Sequence, residues 1–318
     1  IGLLLSNQIA QWLFQDTQLA WVVIATVCVL PLSAIGTLCN SVINGQQLYR
    51  RYVGLGMISV LISSGLMLAM IAFYNIQGAL FAAAVQSGLI GLLMLIANLR
   101  QPWFKLCFWW GSTDKAARKA IAGYMLMAIT SALTLPVALI LIRNILISQV
   151  GWDATGQWQA VWKISEVYLS VITIALSTYY LPKLSSLHGV DNVINEINKT
   201  VKVILPLVTL TAVIVYLLRD VAISILFTEA FRHARDLFAV QLVGDVIKIV
   251  AWLYAYPMIS RGATKLFIAS EIFFAISFLV LTYLLVSCYG LGGVTMAYAI
   301  NYFFYFLFVF FNRRVIAS

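Results

Sequence analysis

Six ionisable residues stand inside stretches apolar enough to cross a bilayer: Arg143, Lys163 and Lys248, with Glu166, Asp245 and Glu271. An ionised group at bilayer depth costs about 2.5–3.5 kcal/mol even on the lenient insertion scale, so each should face protein or water and have a partner. Ammonium and guanidinium groups at such depth can hold an anion. Carboxylates there can take up a proton or a counter-ion. Spacing supports a common site. Gln159, Lys163, Glu166, Ser170, Thr173 and Ser177 follow one another at intervals of 4, 3, 4, 3 and 4, which is one helix face. Gln241, Asp245 and Lys248 repeat the pattern at 4 and 3, continued by Trp252 and Tyr256. Lys163 and Glu166 can pair at i,i+3. Asp245 and Lys248 invite the same reading: two self-neutralising pairs that fix packing, or the charged lining of a hydrated cavity.

The elements that position these residues are spanning helices. The chain has 318 residues, 63% hydrophobic and 10% charged, and a mean hydropathy of +0.97. A soluble domain carries about a quarter charged residues. The apolar runs are continuous, unlike the alternation of a porin-like barrel. A span needs about 20 apolar residues, and that rule gives nine: 19–44, 53–74, 77–98, 119–147, 155–181, 201–226, 237–260, 266–286 and 291–311. Both mid-membrane pairs then fall at similar depth. A further polar stripe, Ser33, Thr37, Asn40 and Asn44, marks the first full span, and Tyr298, Asn301, Tyr302 and Tyr305 mark the last. Pro31, Pro136, Pro206 and Pro257 lie inside spans and should kink or locally open them.

The expected fold class is all-α, a polytopic transmembrane bundle. The hydrophilic gap 99–118 divides residues 1–98 from a six-span group at 119–318, and two six-span halves are a common transporter plan. On that plan the first lobe is truncated: Ile1 opens inside an apolar stretch, so the chain reads as a fragment beginning within a third span. Of 20 Lys and Arg residues, fourteen gather at alternate span ends, from Arg50 and Arg51 to Arg313 and Arg314. The positive-inside rule makes those ends, the 99–118 loop and the C-terminus cytoplasmic. It also accounts for the net charge of +9 without a nucleic-acid partner.

Other chemistries find little support. Cys28, Cys39, Cys107 and Cys288 lack CxxC spacing and read as buried, reduced and structural. Only His188 and His233 are present, both in expected loops, and no HExxH, GxSxG or Walker A pattern occurs. The run Arg232–Arg235 reads as a solvated basic loop. No cofactor or metal is implied.

Three blocks carry a family resemblance: TSALTLPVALILIRNIL (130–146), GWDATGQWQAVWKISEVYLSVITIALSTYYLPKLSSL (151–187) and LRDVAISILFTEAFRHARDLFAVQLVGDVIKIVAWLYAY (218–256). They resemble the Wzx-type flippases for lipid-linked oligosaccharides of the O-antigen and enterobacterial common antigen kind, in the multidrug/oligosaccharidyl-lipid/polysaccharide exporter superfamily. The resemblance implies twelve spans in two lobes around a cationic cavity in the bacterial inner membrane. It implies transfer of undecaprenyl-diphosphate-linked glycan, such as the O-antigen repeat unit, from the cytoplasmic to the periplasmic leaflet by alternating access. A coupling ion, proton or sodium, and contacts with a glycan polymerase and a chain-length regulator would accompany that job. Glu166 matches an acidic position of the family's block, while Lys163 stands where some relatives are uncharged.

The expected substrate-binding residues are Lys163, Lys248, Arg143, Gln159 and Gln241. Glu166 and Asp245 would serve ion coupling, and Ser170, Thr173, Ser177, Asn40 and Asn301 would line the cavity. Three rivals stay open: a drug or cation antiporter of the same superfamily; a membrane-embedded glycan polymerase or ligase, which would want a larger outer loop; and a structural membrane subunit, which would not need two mid-depth ion pairs.

Overall fold

The computed structural model describes residues 5–14, 16–105, 111, 114–227 and 229–317, and the side chains within them except those of 12–14, 229, 230, 232 and 233. Every regular element among them is helical. Eight helical segments are long and apolar enough to cross a membrane. The bundle is inside-out relative to a soluble protein. Leu61, Phe73, Ile76 and Ile225 stand on its surface, while Gln241, Asp245, Lys248 and Asn301 are buried. Only an apolar solvent makes that arrangement favourable, and the chain is a multi-pass membrane protein. It divides into two compact units, residues 1–112 and 113–318.

The first unit contains α1 (Ser6–Phe14), α2 (Ala20–Gly45) and α3 (Tyr49–Asn98). As one rod, the 50 residues of α3 would reach about 75 Å, more than twice the roughly 30 Å apolar thickness of a bilayer. It does not run straight. Asn75 has φ 51° and ψ −132°, which breaks the helix, and Gly78 nests against the Met70 carbonyl where a Cβ would clash. The two arms fold back on each other. Arg51 at the start donates to the Ala97 carbonyl at 2.7 Å and to Asn98 Oδ1 at 3.2 Å. The expected spans 53–74 and 77–98 are these two arms. The clasp also gathers Arg50, Arg51 and Arg100 at one end. Against the hairpin, α2 packs backbone to backbone: a side chain at Gly36 or Gly91 would strike the other helix's main chain.

The second unit contains α4 (Lys115–Val150), α5 (Trp152–Ala175), α6 (Leu181–Ser186), α7 (Val190–Leu226), α8 (Phe238–Ser260), α9 (Thr264–Tyr289), α10 (Gly292–Phe311) and the short α11 (Arg313–Ala317). The Asp114 side chain caps α4 by accepting from Ala117 N at 2.7 Å. Gly151, at φ 88°, ends α4 and begins α5 with a single-residue corner that other residues rarely adopt. The centre of the unit is α8, which joins two apolar cores. One is built on Leu184, Val193, Ile197, Ile249, Leu253 and Met258. The other is built on Ile142, Trp158, Trp162, Phe238 and Tyr298.

None of the four prolines ends its helix. Helices run on through Pro31, Pro136 and Pro206. The irregular stretch is a π-helical turn over Leu176–Tyr180, between α5 and α6. It delivers Tyr180 to α8, where the hydroxyl donates to the Leu253 carbonyl at 3.0 Å. That carbonyl lacks its helical donor because residue 257 is proline, so a side chain from another helix supplies the missing bond. Two of the cysteines also differ from expectation. Cys39 is buried, but Cys28 and Cys288 are exposed thiols, because each sits on the outer face of its helix; Cys107 lies outside the described residues.

Candidate functional site: charged cavities in the second unit

The polar face of α5 opens onto two cavities. The first, about 440 Å³, is lined by Lys163, Ser165, Glu166, Ser170 and Thr173 of α5, with Gln241, Lys248 and Trp252 of α8 and Tyr298 of α10. The second, about 460 Å³, lies further along α5 between Arg143, Gln159, Lys163, Glu166 and the rings of Trp158 and Phe231. The Lys163–Glu166 pair borders both. Its ion pair measures 2.8 Å, with the two side chains 71% and 43% exposed. Solvent-accessible pairs contribute little to stability, so this one is free to rearrange around a ligand. The second Glu166 oxygen accepts from Trp162 Nε1 at 3.2 Å.

Lys248 and Asp245 behave differently from the i,i+3 pair their spacing suggests. Lys248 makes no direct ion pair with Asp245 among the described residues. Its Nζ sits 4.9–5.7 Å from the ring centres of Trp162, Trp252, Tyr298 and Tyr302. Such faces attract an ammonium through the ring quadrupole. Asp245 is fully buried and points away into a set of donors. Tyr168 and Tyr298 each donate at 2.8 Å, Gln241 Nε2 at 3.4 Å, and Ser165 adds a hydroxyl. Aromatic neighbours intervene because α5 and α10 bring six-membered rings and phenol oxygens to a helix whose own spacing promised only a salt bridge. Gly244 permits this: a Cβ there would fall 2.5 Å from the Tyr298 ring, so only glycine lets the phenol lie across α8.

The expected site residues therefore separate into groups. Lys163, Glu166, Ser170, Thr173, Gln241 and Lys248 share the first cavity, and Arg143 and Gln159 join Lys163 and Glu166 at the second. Asp245 stands behind the first cavity as a buried acceptor. Ser177 donates to the Ile174 carbonyl at 3.0 Å at the π turn, outside both linings. Asn301 lines a smaller cavity with Glu271. Asn40 lines a groove of about 360 Å³ within the first unit, together with Ser33, Thr37, Asn44 and Ser87. Of the run Arg232–Arg235, Arg235 pairs with Asp220 at 3.6 Å, and the side chains of Arg232 and His233 lie outside the described residues. Sequence reasoning missed Tyr168, Trp162, Ser165 and Gly244. A glycine directly preceding a buried acid in a helix was the available signal.

A polar, charged cavity inside an apolar-surfaced helix bundle is an arrangement that a membrane transporter requires. Solved transporters of the MOP superfamily share this fold. A MATE in the bent conformation aligns with a TM-score of 0.81 at 17% identity, covering 99% of this chain and 73% of that one. A MOP superfamily transporter from Pyrococcus furiosus aligns at 0.78 and 14%, covering 99% and 75%. No protein-family model matches the chain. In sequence it is 32% identical over 312 residues to the lipid III flippases of Escherichia coli (strain K12) and Shigella flexneri, covering 96% of this chain and 74% of each relative. The chain belongs to the family of these flippases, and it is a membrane transporter rather than an enzyme.

Proposed function

We propose that the protein translocates an undecaprenyl-diphosphate-linked oligosaccharide, of the lipid III or O-antigen repeat-unit kind, from the cytoplasmic to the periplasmic leaflet of a bacterial inner membrane. Alternating access coupled to a cation gradient drives the cycle. The observation that carries this reading is Lys248, an ammonium at the wall of a 440 Å³ cavity without a direct carboxylate partner, with Lys163 on the same cavity and Arg143 on the neighbouring one that Lys163 also borders. A diphosphate and hydrated sugars cannot cross hydrocarbon unaided. The three cations take the diphosphate, while Gln159, Gln241, Ser170 and Thr173 offer hydrogen bonds to sugar hydroxyls and the prenyl tail stays in lipid. The relatives named lipid III flippases support the same substrate class. A drug antiporter for organic cations fits less well, because the aromatic faces that would hold such a cation are taken by Lys248 itself. The basic ends carrying Arg51, Arg100, Lys183 and Arg261 face the cytoplasm, as does the C-terminus.

The test is depletion of the protein in its host, followed by an impermeant lectin on spheroplasts. Lipid-linked glycan reached only after lysis is the expected result. Glycan that still arrives on the outer face removes the flippase assignment. Lys163→Ala and Lys248→Ala, expressed at normal level, should each lower export; full transport by both would show that the cationic cavity is not the binding site.

A further inference from the structure

The second cavity holds groups that a diphosphate does not account for. Beside Arg143, Gln159 and Lys163, its lining includes Phe227, which caps the end of α7, and Phe231, in the short helical turn Glu229–Leu237. The two phenyl ring centres are 5.2 Å apart, with their planes tilted by 33°. Phe231 reaches across to α5, where a Cβ on Gly156 would lie 3.7 Å from its Cε1. Trp158 lines the same space. It is 1% exposed, its ring leans on Trp162 at 5.6 Å, and its Nε1 has no hydrogen-bond partner. A buried N–H left without an acceptor costs about 1–3 kcal/mol. A plain hydrophobic seal at this end of the bundle explains neither that donor nor the Gln159 amide beside the rings.

A sugar ring has the two kinds of surface this wall asks for. One face of a pyranose is a sheet of C–H bonds polarised by the neighbouring oxygens, and an aromatic ring turns a negative face to such hydrogens. Its rim is a ring of oxygens that accept hydrogen bonds, and the Trp158 indole and the Gln159 amide both offer N–H. A volume of about 460 Å³ falls within the roughly 300–1,000 Å³ of small-molecule sites. An acyl chain there would leave the donors unpaired, and a phosphate alone would leave the rings uncovered. We propose that Phe227, Phe231 and Trp158 form a stacking subsite for one sugar ring of the transported glycan, with the Trp158 indole and Gln159 donating to its rim oxygens. Placement follows from Lys163, which borders both cavities: a diphosphate held there brings the sugar attached to it within reach of the rings. The identity of the glycan rests on the flippase reading; the affinity of the cavity for a sugar ring does not.

The experiment is calorimetric titration of the full-length protein in detergent with two probes: the phosphate-free oligosaccharide released by mild acid from the host's lipid-linked glycan, and inorganic diphosphate. The wild type should bind both. Phe231→Ala and Phe231→Leu should each weaken oligosaccharide binding about fivefold or more and leave diphosphate binding unchanged, whereas Phe231→Tyr, which keeps the ring face, retains both. Lys248→Ala should do the reverse, losing diphosphate and keeping the oligosaccharide. Should Phe231→Ala fail to fold, Phe231→Leu and Phe227→Leu, which preserve apolar volume without a ring, carry the comparison. A wild type that does not bind the oligosaccharide overturns the subsite, and so does an affinity that survives in both leucine variants. Equal loss of both probes in Phe231→Leu also overturns it, because the ring would then serve the fold alone. The spheroplast assay reads the flippase assignment separately. Glycan that reaches the outer face after depletion sinks that assignment, while ring-dependent oligosaccharide binding keeps the sugar site. Glycan trapped inside, with ring-independent binding, sinks the subsite and leaves the flippase reading intact.

Discussion

Lys248 and Asp245 illustrate how two residues three apart on one helix acquire separate roles. The aspartate is held by phenol and amide donors from three helices, and the lysine is left to an aromatic box. Gly244 is the hinge of this arrangement, since it makes room for the Tyr298 ring. Gly244→Ala should push the ring off α8 and deprive Asp245 of one donor, at a cost of about 1–3 kcal/mol. Tyr298→Phe removes the same hydroxyl without the steric change and should lower stability by a similar but smaller amount. Thermal unfolding in detergent of both variants separates the two effects: a larger loss for Gly244→Ala measures the steric cost of the added Cβ, and equal losses would mean that the Cβ is accommodated without one.

At the scale of elements, the contact between the π-helical turn and α8 repairs a proline defect. Tyr180 supplies the Leu253 carbonyl with the bond that Pro257 cannot. Tyr180→Phe should destabilise the protein by about 1–3 kcal/mol. In a Pro257→Ala background the helix donates to Leu253 itself, so the same change should cost much less, a coupling that a double-mutant cycle measures. A similar local argument applies to the hairpin of α3. Asn75 adopts a positive φ, which glycine takes without steric cost. Asn75→Gly should leave the midpoint unchanged or raise it, whereas Asn75→Val should lower it clearly, because a β-branched side chain resists this conformation.

For the whole molecule, the distribution of charge sets a sidedness that chemistry can read. One end of the second unit holds Lys183, paired with Glu196, and Arg261, which donates to the Leu187 carbonyl. The opposite end holds the corner at Gly151 and Asp153. With native cysteines replaced, a single cysteine at Asp153 should react with an impermeant thiol reagent on intact spheroplasts, and one at Lys265 only after lysis. The reverse pattern would invert the orientation and, with it, the direction in which the cavities present Lys163 and Arg143.

Much of this protein is written in its composition and periodicity. Continuous apolar runs dictate spanning helices because backbone groups have no other way to be satisfied in lipid. The Gln159–Thr173 stripe is legible because a lipid-facing helix cannot carry it, and in the structure it borders the cavities. Spacing also foretold the Lys163–Glu166 pair, since both partners share one helix turn. Partners on other helices were not legible. Nothing local indicates that Tyr168 and Tyr298 would claim Asp245, that four rings would enclose Lys248, or that Asn301 would share a small cavity with Glu271. Apart from Trp252, which follows Lys248 by four positions on α8, those contacts join residues 30 to 86 positions apart. Helical periodicity reports which face a side chain occupies, and only the packing of α4, α5, α8, α9 and α10 decides what stands opposite it.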